Sequence, residues 1–205
     1  MTNQNHYQTA TNFLARLDKD WANLIRLVGP CTLTVETERS PYQALVRAIA
    51  FQQLHANAAN AILGRLMALC NQELPEPEKL LALDYDQMRA CGFSARKIET
   101  LYGIANAALD GTIPSRKIAA TLSDQDLVKQ LVTLKGVGRW TVEMLMIFTL
   151  GRMDILPIDD FGICDGFRRL KGLAAKPSPK EMAALGVAWQ PHRTIASWYL
   201  WRVPK

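Results

Sequence analysis

Four serine-led start signals punctuate the chain, and each opens a segment whose apolar residues recur three and four positions apart. Ser40-Pro41-Tyr42-Gln43 and Ser178-Pro179-Lys180-Glu181 are capping boxes with proline at the first helical position. Ser94 opens a segment in which Ile98, Leu101, Ile104, Ala105 and Ala108 share one helical face, and Gly111 and Pro114 end it. Ser123 opens another, with Asp124 and Asp126 in its first turn, where acids oppose the positive end of the helix dipole. Residues 44–54, 58–69, 142–150 and 163–170 also read as helices, and two short ones precede residue 40. No segment alternates with period two for long; residues 32–36 are the best candidate strand, and a short one. The expected fold is all-α, because faces with a 3.6-residue repeat bury most readily against other helices.

The remaining composition narrows the class. At 205 residues the chain can bury a core without disulfide or metal staples. Its 49% hydrophobic and 21% charged residues exclude disorder over most of its length. No apolar run approaches the roughly 18 residues of a membrane span. Met1-Thr2-Asn3-Gln4-Asn5-His6 has neither the basic nor the apolar region of a secretory leader. Cys31, Cys70, Cys91 and Cys164 are too dispersed for a zinc site or iron–sulfur cluster built from one short loop, so four reduced thiols in an intracellular protein are expected. With 24 Lys and Arg against 19 Asp and Glu, the net charge of +5 permits nucleic-acid binding without establishing it.

The stretch Leu134-Lys135-Gly136-Val137-Gly138-Arg139-Trp140-Thr141 joins two helical segments. Two glycines around one apolar residue allow a tight turn with positive φ and a close backbone approach to another molecule. The turn opens onto a helix N-terminus, where unpaired amides and the dipole favour an anion. Lys135 and Arg139 add mobile charge, and Val137 would anchor the turn in the core. Downstream, Leu156-Pro157-Ile158-Asp159-Asp160-Phe161 places two acids before a helix. Either can cap that helix; a catalytic reading needs one carboxylate to face a cavity while the other caps.

Hairpin, apolar helix and Pro-Ile-Asp-Asp-Phe together resemble the helix-hairpin-helix DNA glycosylase superfamily. Within it the chain resembles the 3-methyladenine DNA glycosylase II group, in its compact single-domain branch. The resemblance extends to Arg89-Ala90-Cys91-Gly92-Phe93-Ser94-Ala95-Arg96-Lys97, to residues 105–114 and to Trp189-Gln190-Pro191-His192-Arg193, and so covers roughly residues 41 to 203. It implies a single domain over 1–205, a bilobed helical bundle with an active-site cleft between a lobe of about residues 41–120 and a lobe of 1–40 plus 121–205. Better-known members carry an extra N-terminal sheet domain; here only about 40 residues precede the match.

The resemblance also implies roles. The family's catalytic aspartate stands twenty residues after the hairpin tryptophan, which selects Asp160 over Asp159. A fixed anion there would stabilise positive charge developing on the sugar and orient or deprotonate the attacking water. Backbone amides of Gly136, Gly138 and Thr141, helped by Lys135 and Arg139, would bind phosphate. The carbonyls of Val132, Leu134 and Val137 would hold a structural Na+ or K+, with no other cofactor. Trp140, Trp201 and Met144 would form a base pocket, an electron-rich slot suited to cationic alkylated purines. Gln53, with Leu54 as the second choice, would be the wedge filling the gap left by a flipped nucleotide, and His55 would lie near the damaged sugar. For each aromatic the competing role is core packing, and for His55 a polar helix end; Trp21, Trp189 and Trp198 are assigned to the core.

Members that also cut the DNA backbone carry a nucleophilic lysine where this chain has Trp140, which cannot form a Schiff base. The endonuclease III branch also has a four-cysteine C-terminal cluster, which has no counterpart in this sequence. The expected activity is therefore monofunctional excision of 3-methyladenine- and 7-methylguanine-type bases from double-stranded DNA in base excision repair. It would be carried out by an intracellular monomer with no membrane partner, beside the nucleoid in a bacterium or in the nucleus of a eukaryote. The alternatives are a non-catalytic damage-binding module of the same fold, against which Asp160 argues, and a glycosylase for another lesion class.

Overall fold

The computed structural model describes residues 3–205; Met1 and Thr2, on which the leader reading partly rests, lie outside the described residues. Among the described residues there are thirteen α-helices, one short 3-10 helix and no strand. Helices α1 (Asn3–Ala15) and α2 (Lys19–Val28) come first. Residues 32–36, the strand candidate, are irregular. At the end of this stretch the Glu36 amide donates to the Phe148 carbonyl at 2.8 Å and its carbonyl accepts the Arg39 amide at 3.3 Å, and neither partner lies in a strand.

Helices α3 (Pro41–Phe51), α4 (Ala56–Ala68), α5 (Pro77–Leu81), α6 (Tyr85–Cys91), α7 (Ala95–Leu109), α8 (Arg116–Ala119), α9 (Asp124–Leu131) and α10 (Arg139–Phe148) follow. Then come α11 (Phe161–Leu170), α12 (Pro179–Leu185), a 3-10 turn over Gly186–Trp189 and α13 (Arg193–Leu200). The expected caps form: the hydroxyls of Ser40, Ser94, Ser123 and Ser178 accept the N3 amides of α3, α7, α9 and α12. No helix among the described residues is long and apolar enough to cross a membrane.

The chain divides into two compact units, residues 36–150 and residues 1–35 with 151–205. In the first, α7 is the spine. It buries Ile98, Leu101, Ile104 and Ala105 and packs on α3, α5 and α6. α10 packs on α3 and α9, which is why residues 121–150 belong to this unit rather than joining the termini as the sequence division had them.

In the second unit α13 packs on α1, α2 and α11. Its core holds Leu14, Trp21, Phe167, Trp189 and Tyr199, all buried. The Trp21 and Trp189 rings meet edge-on with centroids 5.5 Å apart, and the Tyr199 hydroxyl donates to the Gly29 carbonyl at 2.9 Å. Trp198 is buried too, so all three tryptophans assigned to the core lie there. Close approach of α11 and α13 depends on a small residue. A Cβ on Gly166 would lie 2.1 Å from the Leu200 carbonyl oxygen.

Candidate functional site

In the unit of residues 1–35 and 151–205, the centre is Asp160. It is the N-cap of α11, and its Oδ1 accepts the Ile163 amide at 2.8 Å. The same oxygen accepts the indole N–H of Trp201 at 2.9 Å. Two donors on one oxygen fix the plane of the carboxylate. The approach of the indole requires Gly162, since a Cβ there would lie 2.9 Å from Trp201 Cδ1 and 3.2 Å from Asp160 Oδ1.

The sequence had offered capping and catalysis to two different aspartates. Asp160 takes the cap itself, and Asp159 is exposed in the preceding turn. Asp160→Ala is therefore expected to cost about 1 kcal/mol of stability. Asp159→Ala should leave the thermal midpoint where it is, and melting of the two variants checks this.

The segment before Asp160 is braced from α13. Arg193 pairs bidentately with Asp154, at 2.8 and 2.9 Å, and its amide bonds the same carboxylate at 3.2 Å. Thr194 Oγ1 donates to the Arg152 carbonyl at 2.7 Å and accepts the Ile155 amide at 3.0 Å. The Cys164 thiol, close to Asp160, is buried and donates to the Ile158 carbonyl at 3.3 Å. Burial raises its pKa, with Asp160 and Asp159 adding to the shift, so it is not a thiolate nucleophile.

In the unit of residues 36–150 the hairpin runs from α9 to α10. The Val137 amide donates to the Leu134 carbonyl at 3.0 Å and closes the turn, with the Val137 side chain buried as expected. Of the two glycines only Gly136 takes positive φ, +83°; Gly138 has φ −91° and ψ 167°, an ordinary extended residue. Gly136 is also tightly seated, since a Cβ would lie 2.5 Å from Thr100 Oγ1, whereas one on Gly138 would meet nothing within 4 Å. Gly138 is the exposed N-cap of α10 and supplies no side-chain cap bond to its first amides.

The two basic residues are less mobile than the sequence implied. Lys135 Nζ pairs with Glu99 at 2.8 Å across an exposed contact, and Arg139 Nε donates to the buried Glu143 carboxylate at 2.8 Å. The Lys135 bond holds the Glu99 carboxyl below its usual range. Thr141 is buried in the first turn of α10. Trp140 is 43% exposed, and Met144, half-buried, stands one turn further along.

The wedge candidates follow α3, which ends at Phe51 rather than Leu54 because Gln53 takes φ 56°. Gln53 and Leu54 are exposed. His55, exposed, is the N-cap of α4, its Nδ1 accepting the Asn57 amide at 3.5 Å. Within their own units, then, Asp160 and Trp201 meet, the hairpin residues form one turn, and Trp140 and Met144 share a helix face. The brace from Arg193 and Thr194, and the bonds of Gln52 to the hairpin and of Lys97 to the end of α3, are long-range pairings that spacing along the chain does not show. Gly162 and Gly166 did leave a signal, because glycine inside a helix costs about 1 kcal/mol and so points to close packing.

Known proteins resemble this chain over most of its length. In Schizosaccharomyces pombe, the alkylbase DNA glycosidase-like protein mag2 is 40% identical over 100% of this chain and 97% of its own length. DNA-3-methyladenine glycosylase 1 of the same organism is 44% identical over 94% of this chain and 85% of its own. The solved structure of S. pombe 3-methyladenine DNA glycosylase in complex with abasic DNA superposes with a TM-score of 0.89 at 43% identity, covering 95% of each chain. Residues 46–191 match the HhH-GPD superfamily of base excision DNA repair proteins, and the chain belongs to that superfamily.

Proposed function

We propose that this chain is a monofunctional DNA glycosylase that removes alkylated purines of the 3-methyladenine and 7-methylguanine type, working as a monomer on double-stranded DNA. The observation that carries the reading is the carboxylate of Asp160, held on one oxygen by the Trp201 indole and the Ile163 amide. Relatives spanning nearly the whole chain are named for alkylbase and 3-methyladenine removal, and one is bound to abasic DNA, the product such an enzyme leaves.

The chemistry follows from the residues. The exposed amides at Gly138 and the start of α10, with Gly136, Thr141, Lys135 and Arg139, take a phosphate without reading sequence. The target nucleotide leaves the stack; the exposed Trp140 ring with Met144 is one electron-rich surface for the cationic base, and the Trp201 indole beside Asp160 is another. As the N-glycosidic bond lengthens, positive charge grows on the sugar; Asp160 faces it as a fixed anion and orients the attacking water. The bond to the base breaks, water adds at the sugar carbon, and the strand keeps an abasic site.

The carbonyls of Val132, Leu134 and Val137 are hard oxygen donors of the kind an alkali cation accepts, so these residues fit a Na+ or K+. Such an ion would supply one positive charge beside the phosphate. Repair of this kind takes place where DNA is kept, with the nucleoid in a bacterial cell or in the nucleus of a eukaryotic one.

The test uses duplexes carrying one 7-methylguanine, 3-methyladenine or 8-oxoguanine, treated with hot alkali after incubation. Cleavage only at the alkylated bases is expected, with no covalent adduct when borohydride is present during turnover, because Trp140 stands where an amine would be needed. Strand scission without alkali, or an efficiently trapped adduct, would overturn the monofunctional reading.

A further inference from the structure

The first two turns of α7 tie the hairpin to the loop that follows α3. Lys97 Nζ donates to the carbonyls of Ala50 at 3.0 Å and Gln52 at 2.8 Å, groups at the end of α3. Helix ends leave such carbonyls without intrahelical partners, and a lysine can satisfy them. One turn on, Thr100 occupies the space against which Gly136 is seated. Between them Glu99 pairs with Lys135. Gln52 completes the circuit, since its Nε2 donates to the Gly136 carbonyl at 3.1 Å.

The next residue, Gln53, stands at φ 56°, a conformation that a non-glycine residue keeps only when its surroundings impose it. Its side chain and that of Leu54 are exposed, Leu54 at 39%. Neither helix needs these bonds to close. α3 ends with the Gln52 amide on Ala48 and Ile49, and the hairpin turn closes on its own Val137–Leu134 bond. The joint effect of Lys97 and Gln52 is to fix where Gln53 and Leu54 stand relative to the phosphate-binding turn.

We propose that Gln52 and Lys97 are positioning residues that couple the hairpin's grip on phosphate to the insertion of Gln53 and Leu54 beside a nucleotide that has left the stack. The proposal rests on the base-flipping reading above and names the side chains that set its geometry. A loop whose first residue is tied to both the hairpin and α7 presents its tip without ordering it anew at each encounter, and pre-organised contacts of this kind retain more of their interaction free energy on binding.

The experiment compares an undamaged duplex with one carrying a tetrahydrofuran abasic analogue next to 2-aminopurine, using Gln52→Ala, Lys97→Met and Lys97→Arg. Gln52→Ala and Lys97→Met are expected to weaken binding to the tetrahydrofuran duplex about tenfold and reduce the 2-aminopurine signal, with undamaged-duplex affinity held within about twofold. Lys97→Arg, which keeps charged donors, should recover much of the loss. Equal weakening on both duplexes would overturn the proposal, because Gln52 and Lys97 would then only support the hairpin; no change on either would overturn it as well. Base release by the unmodified chain is measured in parallel. Release with no selective effect of the variants defeats the coupling alone, and selective effects without release defeat the glycosylase reading alone.

Discussion

Asp160→Asn is expected to lower base release by 100-fold or more, the scale on which removing a preorganised charge-stabilising group acts. The fold should survive the change. An asparagine carbonyl can still accept the Ile163 amide and the Trp201 indole at the place where Asp160 Oδ1 accepts both. Asparagine is also as good an N-cap as aspartate. What is lost is the negative charge that the proposed mechanism sets against the sugar. Binding to undamaged and lesion-bearing duplexes should therefore stay close to that of the unmodified chain while single-turnover release collapses. Asp159→Asn, at an exposed position outside the cap, should keep release within a few-fold. A reversal of these two phenotypes would move the catalytic role to Asp159.

Gly136→Val should be the most damaging change in the hairpin. At φ +83° a β-branched residue is strained, and its Cβ would lie 2.5 Å from Thr100 Oγ1 and 2.8 Å from Cγ2. Left-handed strain and overpacking together amount to roughly 2–4 kcal/mol. The turn must shift, taking with it the carbonyl that Gln52 holds. Affinity should fall tenfold or more for undamaged duplexes whatever their sequence, and further for lesion-bearing ones, with a lower melting temperature, because phosphate contacts carry no sequence information and the Gln52 bond is lost as well. Gly138→Val is the control. At φ −91°, with open space around its Cβ position, it should cost about 1 kcal/mol or less in stability. It should still weaken all binding, since its side chain would stand where phosphate approaches the first amides of α10. Binding and melting across a salt series separate the two, and a Gly136→Val chain with unaltered affinity would make the hairpin a mere connector.

What the sequence disclosed and what it concealed divide along physical lines. Caps are local: Ser40, Ser94, Ser123 and Ser178 reach amides three residues away, so the helix starts were readable from residue order alone. The buried Val137 and the hairpin between α9 and α10 were readable for the same reason. Backbone angles inside the hairpin were not. A Gly-x-Gly pattern permits positive φ at both glycines, and only the packing against Thr100 shows that Gly136 uses it and Gly138 does not. The pair of acids was ambiguous because both can cap; the Ile163 amide gives the cap to Asp160, and the bond of the same Oδ1 to Trp201, forty-one residues on, could not be read from residue order. The strand expected at residues 32–36 failed because β-propensity without a partner segment has nothing to pair with. Lys97 carried no local mark of its task, since its acceptors lie 45 and 47 residues away.

The central claim is that the chain itself performs hydrolysis rather than only recognising damage, and it is tested most directly by the free base. A duplex bearing one 7-methylguanine is incubated with the chain in excess, and the released base is measured by chromatography beside an Asp160→Asn control. The account predicts stoichiometric free 7-methylguanine and an intact abasic strand from the unmodified chain, with release from the control reduced by at least about 100-fold. Tight, lesion-selective binding with no free base from either chain would contradict it and leave a damage-binding module in place of an enzyme.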